Sequence, residues 1–180
     1  LNRSSDLLVD RHVGNKRIES FPTRFAAVAT DLDTGQPVLL DKGSAGQVVK
    51  ASASVPLRYE PVTIGGKRLV DGALSAPVPV DAARQGGATF TVAVDVAYRP
   101  YEEAVSGISD VAFQMFHIMV NRLIDEQIKR ADFAIRLDAH EAMRGDDMLS
   151  NVIRAGEGAV HRQWPELTRA LARAGFRTFR

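Results

Sequence analysis

Val62-Thr63-Ile64-Gly65-Gly66-Lys67-Arg68-Leu69-Val70-Asp71-Gly72-Ala73 decides how this 180-residue chain is read. Two short runs flank a Gly-Gly pair, the signature of a tight β-hairpin, because a two-residue turn needs backbone angles that glycine accepts without steric cost. The second run delivers an acid, Asp71, where the strand stops. Gly72 lets the backbone turn sharply after that strand, and the small Ala73 leaves room beside the carboxylate. An isolated Asp-Gly pair is a common turn, so the weight placed on Asp71 depends on its surroundings.

Upstream, residues 24–30 form a short apolar run ending in Asp31-Leu32-Asp33-Thr34-Gly35, read as a buried strand followed by a polar turn. Residues 36–40 complete a hairpin with it. Residues 46–54 are rich in small side chains, with Val48, Val49 and Ala53 at helical spacing until Pro56 stops them. Downstream, 77–85 reads as a helix terminated by Gly86-Gly87. The β-branched run 89–96 reads as a strand covered on both faces. After a loop around Arg99-Pro100, 106–129 is helical and 132–137 is a strand. Residues 151–174 are helical with a break at Pro165. Strands alternating with helices predict an α/β layered fold with a largely parallel central sheet.

Composition bounds the rest. With 45% hydrophobic and 25% charged residues the chain is ordinary globular material with enough length for one core. Lys+Arg (23) and Asp+Glu (22) nearly cancel, which removes any global field for nucleic acid. No cysteine is present, excluding disulfides, thiolate metal sites and cysteine nucleophiles. That fits a cytoplasmic or peripheral-membrane setting and leaves secretion open. His12, His117, His140 and His161 share no metal-ligand spacing, so neither a metal nor a cofactor is expected.

The constellation around Asp71 resembles the bacterial patatin-like phospholipases. That family shows an alanine- and serine-rich helix ending in proline, an IGG hairpin leading into VDG(G/A), then PVPVD and a strand ending in aspartate. Here these are Ala51-Ser52-Ala53-Ser54-Val55-Pro56, Ile64-Gly65-Gly66, Val70-Asp71-Gly72-Ala73, Pro77-Val78-Pro79-Val80-Asp81 and Val92-Ala93-Val94-Asp95. Phe25 to Gly35 resembles the strand that precedes them. The match is good over 25–96 and looser over the mainly helical remainder, 106–180.

The resemblance implies a layered patatin-like fold, incomplete on its N-terminal side, with 1–180 as the C-terminal part of a single domain. It implies a lipid acyl hydrolase acting on phospholipid or fatty-acyl ester through a Ser-Asp dyad. Asp71 is then the acid, with Gly72 and Ala73 as its motif. A carboxylate serves as base when partial desolvation raises its pKa toward the working range. The nucleophile is missing: a G-x-S-x-G elbow is absent from the 180 residues, and its nearest imitation is Lys42-Gly43-Ser44-Ala45-Gly46. Ser44 is read as a cap, and Ser52 and Ser54 as packing residues. A glycine-rich oxyanion loop is absent too. The expectation is therefore an N-terminally truncated sequence that does not turn over substrate by itself and is poorly stable alone. The alternative is a non-catalytic scaffold or lipid- or protein-binding module.

The remaining features read as structural. Asp31 and Asp33 belong to a turn, and Asp95 orients a loop. Met115, Phe116, Met119, Val120, Leu123 and Ile124 form a core stripe. The basic tail 162–180, with Leu167, Leu171 and Phe176 interleaved, is a candidate for peripheral membrane contact. It lacks the aromatic interleaving of a nucleic-acid binder.

Overall fold

The computed structural model describes residues 9–97, 105–137 and 147–177, without the side chains of 148 and 149. The loop around Arg99-Pro100, His140 and both chain ends lie outside the described residues. The chain divides into two compact units, Leu1–Pro79 and Val80–Arg180.

In the first unit, β1 (Ala27–Asp31), β2 (Pro37–Leu40), β3 (Val62–Ile64) and β4 (Lys67–Asp71) form one sheet in the order β2-β1-β4-β3. Every pairing in it is antiparallel. The expected largely parallel sheet is therefore corrected. A parallel pair needs a crossover of a dozen or more residues, whereas the short turns joining β1 to β2 and β3 to β4 can close only hairpins. Gly65 and Gly66 take φ of 58° and 80°, as a tight hairpin turn requires.

Helix α1 (Ala45–Ser52) starts at Ser44, whose hydroxyl oxygen accepts from the Gln47 amide. Its Ala45, Val48 and Ala51 lie three residues apart and turn into a buried cluster with Ile18, Ala29, Leu40 and Leu69. Burying that stripe fixes the helix against the sheet, as apolar burial at about 25 cal/mol per Å² favours.

In the second unit, α2 (Val80–Gln85) leads to β5 (Val92–Asp95), α3 (Ile108–Gln127), β6 (Phe133–Arg136) and α4 (Met148–Arg173). β5 and β6 are parallel, Val92 opposite Phe133 and Asp95 opposite Arg136, with α3 in the crossover between them. Asp132 locks the entry to this pair by accepting from the Thr91 amide at 2.8 Å and the Thr91 hydroxyl at 2.7 Å.

Three expectations fail here for identifiable reasons. β5 is not covered on both faces: Ala93 and Asp95 are buried while Val92 and Val94, pointing to the opposite face of the strand, are exposed. The predicted stripe on α3 is not one face. Val120 and Ile124 are buried, but Met115 and Met119 are 57% and 62% exposed. At 100° per residue, each methionine sits roughly 140° round the helix from the buried residue five positions on, too wide an arc for one contact. Nor does Pro165 break α4, which runs through it. A proline removes one amide donor, and the ladder on either side carries the helix across.

Among the described residues, no helix is long and apolar enough to cross a membrane. The tail turns Leu167 inward and sets Phe176 edge-on to Phe90 at 5.8 Å between ring centres.

Candidate active site

Asp71 ends β4 in the middle of the first sheet, opposite Ala29 of β1. Its amide donates to the Ser54 carbonyl at 2.9 Å, and its own carbonyl accepts from the buried Thr30 hydroxyl at 2.8 Å. Thr30 Oγ1 is in turn hydrogen-bonded to Ser75 Oγ at 2.8 Å. The backbone of the acid is therefore tied on both sides.

The carboxylate then caps the single 3-10 turn Gly72–Leu74, Oδ1 accepting from the Ala73 amide at 2.8 Å. Oδ2 takes no hydrogen bond among the described residues. Burial pushes the Asp71 carboxyl above its usual value, and the Ala73 amide, which favours the charged form, pulls back.

Gly72 does more than ease a turn. A Cβ there would lie 2.1 Å from the Val28 carbonyl oxygen, so only glycine lets the segment after Asp71 pass this close to β1. Sequence reading had placed the need for glycine in chain reversal; close backbone approach is what requires it.

Beside Asp71 opens a pocket of about 400 Å³. One wall is α1 and its cap, through Val49, Ser52 and Ala53. A second is the start of β1 with Phe25. The third follows the acid, from Ala73 through Ala76 to Pro77 and Pro79. The volume falls within the roughly 300–1,000 Å³ of small-molecule sites.

The three serines weighed from sequence are all engaged. Ser44 caps α1, Ser52 Oγ donates to the Val28 carbonyl at 2.7 Å, and Ser54 Oγ donates to the Lys50 carbonyl at 2.7 Å. Asp31 accepts from the Asp33 amide at 3.0 Å and from Lys67 Nζ at 3.3 Å, while Asp33 pairs with Arg68. Both serve the turn. Asp95 is buried and accepts from the Ala97 amide at 3.0 Å. Among the described residues, no group of three or more His, Asp or Glu is arranged to hold a metal ion.

Thr30 and Ser75 went unrecognised in the sequence. The signal was a lone hydroxyl in the buried run Ala27-Val28-Ala29-Thr30, since a buried hydroxyl has to find a partner.

Fold and site together define a mixed α/β protein with an apolar pocket closed at one side by a single half-buried carboxylate. Residues 3–84 match the family described as patatin-like phospholipase. An uncharacterized NTE family protein of Mycobacterium tuberculosis is 38% identical over 76 residues, 42% of this chain and 13% of that protein. A second from the same organism is 33% identical over 84 residues, 47% of this chain and 23% of that protein. Lysophospholipase NTE1 of Debaryomyces hansenii is 30% identical over 83 residues, 46% of this chain and 5% of that protein. The matched stretches thus span less than a quarter of the length of these curated relatives.

Proposed function

We propose that the protein is a lipid acyl hydrolase in which Asp71 is the general base of a Ser-Asp dyad, with the serine supplied by residues outside these 180. The observation that carries this reading is the state of the Asp71 carboxylate. One oxygen is fixed by the Ala73 amide, the other is open, and burial raises its proton affinity beside an apolar pocket.

A base needs those three properties. Fixing one oxygen orients the group, the open oxygen accepts the serine proton, and a raised pKa strengthens the base at working pH. The serine then attacks an ester carbonyl as Asp71 takes its proton, the acyl C–O bond breaks and the alcohol leaves with that proton. Water, deprotonated by Asp71, cleaves the acyl-enzyme to release the acid and return the serine. Phospholipid or fatty-acyl ester is the substrate class, met in the cytoplasm or at a membrane surface. Gly72 and Ala73 hold the base, and the 180 residues alone supply no nucleophile for turnover.

A fluorophosphonate probe followed by intact-mass measurement tests this. The natural-length protein is expected to gain one adduct and the 180-residue chain none. Labelling of the short chain at Ser44, Ser52 or Ser54 would overturn the division of the dyad, and no labelling of either would favour a scaffold.

A further inference from the structure

β3 pairs with β4 only as far as Leu69, so Asp71 lies past the end of that ladder. The Ser54 carbonyl takes its amide and the Thr30 hydroxyl takes its carbonyl instead. A threonine hydroxyl carries one proton, and a backbone carbonyl can only accept. Thr30 therefore spends its proton on Asp71, and the 2.8 Å hydrogen bond between Thr30 Oγ1 and Ser75 Oγ has Ser75 as its donor. The order runs from Ser75 through Thr30 to Asp71.

Ser75 is the C-cap of the 3-10 turn Gly72–Leu74, its amide donating to the Gly72 carbonyl at 3.1 Å. At the other end the Asp71 carboxylate caps the same turn through the Ala73 amide. The turn is thus closed onto Asp71 at both ends, directly at the first and through Thr30 of β1 at the second. A hydroxyl that accepts a hydrogen bond donates a stronger one, so Ser75 tightens the hold of Thr30. The planar Asp71–Gly72 peptide held in this way lies between the carboxylate and the Ala73 amide that orients it, and rotation of that plane would swing one against the other.

We propose that Thr30 and Ser75 are positioning residues for the base, a relay that holds the Asp71–Gly72 peptide so that Oδ2 stays aimed at the incoming serine hydroxyl. The proposal rests on the Ser-Asp reading. Neither residue lines the pocket, so both act through Asp71 on turnover and leave substrate binding alone.

The test measures kcat and KM of the natural-length protein on a p-nitrophenyl fatty-acyl ester. Thr30→Val is expected to lower kcat about tenfold with KM within about twofold, and Ser75→Ala to lower kcat about threefold. Because Ser75 acts through Thr30, the double variant should match Thr30→Val alone rather than multiply the two losses. Thr30→Ser keeps the relay and should stay within about twofold of the parent. In an Asp71→Asn background, adding Thr30→Val should change nothing further. Thermal melts verify that each variant is folded at the assay temperature. Should Thr30→Val not fold, Ser75→Ala, at a half-buried position, carries the test.

Unchanged kcat in folded Thr30→Val or Ser75→Ala, losses that multiply in the double variant, or a loss confined to KM would each overturn the proposal. Full turnover by Asp71→Asn would sink the dyad reading and this relay with it. An inactive Asp71→Asn beside hydroxyl variants that run at parental kcat would leave the dyad standing and remove the relay alone.

Discussion

The two units differ in how they use close packing. In the first, Gly72 is pressed so near the Val28 carbonyl that a methyl group has no space, and Thr30 ties the Asp71 carbonyl across the sheet. In the second, Gly156 inside α4 has nothing within 4 Å of where a Cβ would sit, and Met115, Met119, Val92 and Val94 are exposed. The close approach at Gly72 sits directly beside the Asp71 carboxylate, which accepts from the next amide along, Ala73. The family match at 3–84 falls almost wholly on that first unit.

Substitutions can break this contrast. The largest stability effect is expected from Gly72→Ala, which drives a methyl into the Val28 carbonyl and should cost about 3 kcal/mol in urea unfolding. A neutral result would mean β1 and the turn after Asp71 are not in close contact. Thr30→Val keeps the shape but removes the donor to Asp71, an expected loss of about 2 kcal/mol, with Thr30→Ser restoring most of it. Gly156→Ala, in the second unit, should have the opposite sign and gain about 0.5–1 kcal/mol, because alanine is the better helix former where space is free. If Gly156→Ala destabilised as much as Gly72→Ala, the contrast would collapse.

What the sequence made legible follows the same line. The hairpins were readable because Gly65-Gly66 and the polar turn before β2 act locally, and the strand ending at Asp71 was found almost to the residue. That an acid stands at this strand end was legible, whereas its cap on the Ala73 amide and the close approach of Gly72 to Val28 were not. Sheet direction was misread because alternating strands and helices suggested crossovers, although the short turns of the first unit permit only antiparallel neighbours. In the second unit apolar spacing identified α3 but not its buried side. Periodicity tells which residues share a face, and only the partner element decides which face is covered. The pocket is built from three segments far apart in sequence, so no local pattern could have announced it.

The central claim is that Asp71 acts as a base, and the measurement that tests it most directly is the pH dependence of kcat/KM for a fatty-acyl ester. The natural-length protein and its Asp71→Asn variant are to be compared. A base works ionised, and burial raises the Asp71 pKa, so activity should fall as pH drops through a limb above the ordinary aspartate value of about 4. In the variant, which can still accept the Ala73 hydrogen bond, turnover should drop at least about a thousandfold and that limb should vanish. A variant that keeps its turnover and its acid limb would contradict the account.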